Sequence, residues 1–137
     1  MIAAIRVRGR ISIRPEIKTA MRHLRLTRPN HCVILREIQQ VNGTLNRCRD
    51  YVTWGKISEA TLKVLVAKWG RLAGDKPVPA DLVDGIVAAL SKGEKPTMKP
   101  VFRLHPPRKG WKNTKRAWPR GALGPREGMD ELLKRMM

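Results

Sequence analysis

Two hydrophobic periods follow one another at the start of the chain, and they predict a strand and then a helix. Ile5 and Val7 alternate with Arg6, Arg8 and Arg10, a period of two that predicts a strand with one apolar and one basic face. Pro15 suits the first position of a helix. The apolar stripe of this helix is Ile17, Ala20, Met21 and Leu24, and a cationic stripe on another side is Lys18, Arg22 and Arg25.

Two more strands and a second helix are predicted before residue 57. The apolar run in 31–37 predicts a buried strand, and 51–54 is rich in the β-branched and aromatic residues that strands favour. Between them, Asn42 and Gly43 allow either a hairpin turn or a helix that Asn42 caps and that carries Leu45. We favour the helix. The order strand, helix, strand, helix, strand predicts an α+β fold with helices on one face of its sheet.

Three further helices and one strand are predicted beyond residue 57. Ser58 is a suitable N-cap for one helix, Pro79 precedes another, and Gly93 is a suitable stop for it. Residues 101–104 predict a strand, which Pro106 ends. The apolar stripes of the three helices are Leu62, Leu65, Val66 and Trp69; Leu82, Val83, Ile86, Val87 and Leu90; and Met129, Leu132, Leu133 and Met136. We expect all three helices to pack on the body of the protein.

Charge adds a functional expectation, because the net charge of +18 is concentrated in two parts of the chain. The first basic block, residues 1–36, holds nine basic residues against Glu16 alone. The second basic block, residues 95–126, holds ten basic residues and no acidic one, whereas residues 37–94 hold eight basic and seven acidic residues. Cations without counter-ions repel one another unless a polyanion lies against them. The expected partner is RNA, bound by a face on which the two blocks meet.

A long basic loop is expected after the strand at 101–104. It combines Arg and Lys for phosphates, Gly for close backbone approach and Trp for stacking on bases. The candidate RNA contacts are Arg6, Arg8, Arg10, Arg14, Lys18, Arg22, Arg25 and Arg28 in the first block and Arg103, Arg108, Lys109, Trp111, Lys112, Lys115, Arg116, Trp118 and Arg120 in the second. Some alternatives stay open: Arg6 and Arg8 could face only solvent, as could Lys18, Arg22 and Arg25, and Trp111 and Trp118 could pack on the protein itself.

Several classes of protein are not expected. No stretch has the ~20 apolar residues of a membrane span, and the amino terminus does not resemble a secretory signal, so we expect a cytoplasmic protein without a membrane partner. Cys32 and Cys48 are far apart and the three His residues are scattered, so no metal site is predicted. Neither a Gly-rich phosphate loop nor a paired-carboxylate constellation is present, so we expect no enzyme, no cofactor and no small-molecule substrate.

Six phrases of the chain are distinctive: IAAIRVRG, RPEI, RLTRPNHCVIL, RDYVTWG, KPVFRLHPPRKGW and GALGPREG. Together they resemble the archaeal and eukaryotic type of the large-subunit ribosomal protein thirty family. They fall across most of the chain, and 70–99 is the least characteristic part. The resemblance implies a ferredoxin-like split β-α-β-α-β core over 1–57, a helical extension over 58–100, and a strand, basic loop and last helix over 101–137.

The same resemblance implies a function and places some residues. It implies a structural constituent of the large ribosomal subunit that contacts 23S-type rRNA and neighbouring ribosomal proteins, with contact to 5S rRNA left open. The RVRG match puts Arg6 and Arg8 at the end of the first strand, and the HPPRKGW match puts Arg108, Lys109 and Trp111 in a loop that faces rRNA. The alternative is a free-standing, sequence-tolerant nucleic-acid binder such as a chromatin protein or RNA chaperone, which the charge pattern equally allows.

Overall fold

The computed structural model describes residues 1–94 and 96–137, which form five strands, five α-helices and one short 3-10 helix. The 3-10 helix, Ala73–Asp75, lies between α3 and α4. In chain order the main elements are β1 (Ile2–Arg6), α1 (Pro15–His23), β2 (His31–Leu35), α2 (Gln39–Arg47), β3 (Val52–Lys56), α3 (Glu59–Trp69), α4 (Ala80–Lys92), β4 (Val101–Arg103), β5 (Gly124–Pro125) and α5 (Met129–Met136). The predicted α+β class and its strand-helix-strand-helix-strand core are confirmed.

The strands form one sheet in the order β4-β2-β1-β3-β5. The central strand β1 is antiparallel to both neighbours, so that Ala4 faces Val33 of β2 and Trp54 of β3. Strand β4 adds antiparallel to β2, and β5 adds parallel to β3. The carboxyl-terminal part of the chain therefore supplies both edges of the sheet.

Helices cover the two faces of the sheet. Helices α1 and α2 pack on one face, through an apolar cluster formed by Ile2, Ala4, Ala20, Met21, Leu24, Leu26, Val33, Leu45, Cys48, Val52 and Trp54. Helices α3, α4 and α5 pack on the other face, through a cluster that includes Ala3, Ile5, Cys32, Leu62, Leu65, Val66, Ile86, Val87, Phe102, Leu132, Leu133 and Met136. The second cluster joins residues of all three predicted segments, whose division at residues 57 and 100 stays a prediction.

Several helix ends lie where the sequence predicts them. Pro15 is the first residue of α1. The Ser58 hydroxyl accepts a hydrogen bond from the Thr61 backbone N–H at 3.4 Å and caps α3. Gly93 ends α4 in the left-handed conformation, with φ 77°, which glycine adopts without strain. Local capping chemistry therefore determines these boundaries.

Three sequence expectations are wrong. β1 has no basic face: all five of its residues are buried, because it lies at the centre of a sheet covered on both sides. Helix α2 exists, so the hairpin is excluded, but its N-cap is Ile38 and Asn42 lies inside the helix. On α4, Leu82 is 50% exposed and does not belong to the packing face.

Shortening single side chains of α3 to Ala should distinguish its packing residues from its surface residues. Leu62 and Leu65 are both 0% exposed, so each change to Ala should lower the free energy of unfolding by about 2–5 kcal/mol, measured by urea denaturation. Val64 on the same helix is 47% exposed, and its change to Ala should stay within about 0.5 kcal/mol. Equal small losses at all three positions would mean that α3 does not pack as described.

Candidate nucleic-acid interface

Arg6, the last residue of β1, lies inside the protein and is 3% exposed. Its Nη1 donates hydrogen bonds to the carbonyls of Leu26 and Thr27, both at 2.9 Å. Its Nη2 donates to the Gly9 carbonyl at 2.7 Å, and its Nε donates to the Arg8 carbonyl at 3.0 Å. Because the side chain has almost no surface and few free donors, Arg6 is corrected from a candidate RNA contact to a structural residue.

The carbonyls that Arg6 binds belong to two loops of the first basic block, the loop after β1 and the turn after α1. Burial of the guanidinium lowers the pKa of Arg6, and the nearby charge of Arg10 lowers it further. An arginine nevertheless stays protonated in proteins. Arg6 therefore acts as a buried cation that fixes the loops from which exposed cations project.

The other cations of the first block reach the surface. Arg8 is half-buried, lies over the Tyr51 ring at 5.0 Å and donates to the Asp50 carbonyl at 3.3 Å. Six further candidate contacts of this block are exposed: Arg10, Arg14, Lys18, Arg22, Arg25 and Arg28. Arg10, Lys18 and Arg22 line one cavity of about 200 Å³, so the predicted cationic stripe of α1 continues onto the loop after β1.

The basic loop of the second block turns back on itself. The backbone N–H of Trp118 donates to the Leu123 carbonyl at 2.9 Å, and that of Leu123 donates to the Arg116 carbonyl at 3.3 Å. A side chain at Gly121 would collide with the Arg116 carbonyl, so glycine is required at this turn. Among the described residues of this block, the exposed cations are Arg103, Arg108, Lys109, Lys112, Lys115, Arg116 and Arg120.

Helix α5 anchors the start of this loop. Arg135 Nη2 donates to the carbonyls of Arg108 and Gly110, both at 2.8 Å. The Arg108 backbone N–H donates to the Arg135 carbonyl at 2.9 Å. Arg135 was not among the predicted site residues. A basic residue in the last turn of a helix is common because it interacts favourably with the helix dipole, so the local sequence does not show that this one also anchors a loop.

The two tryptophans of the loop are both half-buried. Trp111 packs against the apolar group of Val7, Ala122 and Leu123. The Arg126 guanidinium lies over the ring of Trp118, 4.4 Å from the ring centroid. Like Arg135, Arg126 was not among the predicted site residues. Each ring therefore has protein against part of its surface and leaves the remainder exposed.

The two basic blocks meet at a cavity of about 360 Å³. Arg8 and Arg14 of the first block line it together with Lys115 of the second block. Asp50 also lines this cavity, but within 1–94 and 96–137 none of the three cations forms an ion pair with its carboxylate. The fold thus brings together unpaired cations that are about a hundred residues apart in sequence.

A second junction lies at the other edge of the sheet. His31 of β2 faces Arg103 of β4 across the strand pair. Burial lowers the pKa of His31, and the charges of Arg28 and Arg103 lower it further. Unlike the loop cations, Arg103 is ion-paired, with its Nη1 at 3.3 Å from Asp75 Oδ2.

The described residues contain no cluster that would hold a metal, since no group of three or more His, Cys, Asp or Glu is suitably placed. Both cysteines are buried, and burial raises the pKa of both thiols. Within the same ranges no helix has both the length and the apolar character to cross a bilayer.

The fold and the surface at which the two basic blocks meet define the class of protein. It is a small α+β protein with a strongly cationic surface, a feature typical of proteins that bind polyanions. The family model described as ribosomal protein L30p/L7e matches residues 2–52. The chain is 40% identical, over all of both chains, to the large ribosomal subunit protein uL30 of Methanosphaera stadtmanae. It is 42% identical to that of Methanococcus vannielii over 98% of each chain, and 39% identical to that of Methanocorpusculum labreanum over 90% of this chain and 91% of the relative.

The chain belongs to the L30p/L7e family of ribosomal proteins, which confirms the resemblance found in its phrases. The family consists of structural proteins and not of enzymes, as expected from the sequence.

The structural role of Arg6 can be tested by measuring the free energy of unfolding, without any RNA. Arg6→Met removes four hydrogen bonds from a charged donor and leaves the buried Leu26 carbonyl without that partner, so the free energy of unfolding should fall by about 2–3 kcal/mol. Arg10→Met, at an exposed position, is the matched control and should change it by less than about 0.5 kcal/mol. Urea denaturation of both variants measures the difference, and indistinguishable stabilities would refute the role.

Proposed function

We propose that the protein is a structural constituent of the large ribosomal subunit in the cytoplasm, where it binds and stabilises rRNA and so supports translation. Its family supports the ribosomal role, and its relatives are named as large-subunit proteins. The cationic surface supports RNA as the molecule that this protein contacts. No substrate or cofactor is part of the proposal.

The meeting of the two basic blocks at Arg8, Arg14 and Lys115 carries this proposal. Folding places these cations side by side against their mutual repulsion, and a phosphate backbone against them would offset it. Contacts of this kind fix position and orientation but carry no sequence information. The proposed role is therefore to hold the shape of folded rRNA.

The proposed main partner is the long, 23S-type rRNA, with 5S rRNA as a second candidate and neighbouring large-subunit proteins as further partners. Arg6 is excluded from the contact set by its burial. The proposed contacts are Arg8, Arg10, Arg14, Lys18, Arg22, Arg25, Arg28, Arg103, Arg108, Lys109, Lys112, Lys115, Arg116 and Arg120, together with the exposed parts of Trp111 and Trp118.

Gradient sedimentation of a cell lysate, followed by immunoblotting for this chain, tests the proposal. The protein should travel with the large ribosomal subunit and remain there at moderate salt, because many phosphate contacts would have to be lost together. A protein that follows DNA, or that stays at the top of the gradient, would instead support a chromatin protein or a free RNA chaperone.

The loop cations should matter for incorporation and not for stability. A variant with Ala at Arg108, Lys109, Lys112 and Arg116, all exposed, should enter large subunits less than the wild type while its thermal unfolding stays nearly unchanged. The control variant loses the same charge from the exposed residues Arg47, Lys68, Lys76 and Lys92, and it should incorporate normally. Equal incorporation of the two variants would remove the loop from the mechanism.

A further inference from the structure

A second cavity, of about 450 Å³, lies at the junction of β2, β4 and the segment after α3. It is separate from the cavity at which Arg8 and Lys115 meet. Its size is within the range of about 300–1,000 Å³ that is usual for pockets that bind small molecules. The lining residues that bear on its chemistry are His31, Trp69, Arg71, Asp75, Lys99 and Arg103.

Two half-buried aromatic rings, His31 and Trp69, form part of this wall. His31 Nδ1 and Trp69 Nε1 are buried, and neither has a hydrogen-bond partner among the described residues. Such groups are uncommon in native proteins, because an unpaired buried polar atom costs free energy. His105 meets Trp69 edge-on, with ring centroids 4.9 Å apart and planes at 85°.

The two rings give the cavity flat surface and no charge. Burial and the neighbouring arginines lower the pKa of His31, so the imidazole is neutral near pH 7. Because His31 Nδ1 and Trp69 Nε1 are buried, the two residues present mainly the surface of their rings to the cavity. Flat, uncharged rings are what proteins stack against an unpaired nucleobase.

Cations complete the cavity. Asp75 holds two of them, since its Oδ1 lies 2.6 Å from Lys99 Nζ and its Oδ2 lies 3.3 Å from Arg103 Nη1. Arg71 is the third cation of the lining. Three positive charges against one carboxylate leave a net positive cavity, which favours an anionic ligand.

We infer that this cavity binds a single unpaired nucleotide of an RNA. The base lies against Trp69 and His31, and its phosphate lies against the cations that Asp75 holds. Paired RNA keeps its bases stacked inside the helix, whereas proteins read unpaired nucleotides by stacking and by hydrogen bonds to the base edge. An acidic peptide fits less well, because its carboxylates would leave the aromatic wall without a partner. The inference rests on the proposed function and deepens it.

Matched RNA duplexes test the inference. The full-length protein is titrated against a labelled, blunt-ended duplex of two fully paired strands and against four versions that each carry one bulged nucleotide, A, C, G or U, with binding followed by fluorescence anisotropy. At least one bulged duplex should bind about tenfold more tightly than the paired one, as expected for one stacked base. Trp69→Leu, which keeps apolar bulk but removes the stacking ring, and His31→Ala should each reduce this preference while leaving affinity for the paired duplex unchanged.

His23→Ala is the control, because His23 is exposed on α1 and outside the cavity. Thermal unfolding of each variant checks its fold, and if His31→Ala does not fold, Trp69→Leu decides the result. Equal affinity for bulged and paired duplexes would overturn the inference and leave the proposed function intact, as would displacement of a bulged duplex by an acidic peptide at equal concentration. Failure to bind any duplex would overturn the proposed function itself.

Discussion

Burial of β1 on both faces of the sheet is the constraint on which the rest of the structure depends. Ala3, Ala4 and Ile5 are completely buried, and the two faces they form are both apolar. Apolar surface left in water costs about 25 cal/mol per Å², so each face has to be covered. Helices α1 and α2 cover one face and the helices of the carboxyl-terminal part cover the other. The chain must therefore return to the sheet after leaving it.

This return determines where the charge lies. β4 and β5 attach to opposite edges of the sheet, and the basic loop runs between them. The second basic block is thereby fastened beside the first at two places, near Lys115 and near Arg103. Apolar packing thus assembles a cationic surface that the cations themselves would oppose, and the proposed rRNA contact would relieve that opposition.

The sequence predicts much of the fold because several elements carry strong local signals. The apolar stripes of α1, α3 and α5, and the caps Ser58 and Gly93, are readable from spacing and residue type alone. The loop cations stand out in the sequence as candidate RNA contacts for a similar reason, since no acidic residue lies among them.

Other features depend on neighbours that are distant in sequence. Alternation of Arg6 with Ile5 and Val7 is typical of a strand with one solvent-exposed face. That Arg6 is buried becomes evident only from the position of β1 at the centre of the sheet. β5 is two residues long and has no pattern of its own. The cavity of His31 and Trp69 joins residues from three parts of the chain, so no local motif marks it.

The salt dependence of binding tests most directly the central claim, that RNA phosphates match the joined cationic surface. The purified chain is titrated with large-subunit rRNA at about 50–200 mM salt, and the logarithm of the binding constant is plotted against the logarithm of salt concentration. Neutralisation of about 6–10 phosphates predicts a slope of about −5 to −9 and a loss of about three to five orders of magnitude in affinity over this range. A slope between zero and about −1, equivalent to one phosphate or fewer, would contradict the account.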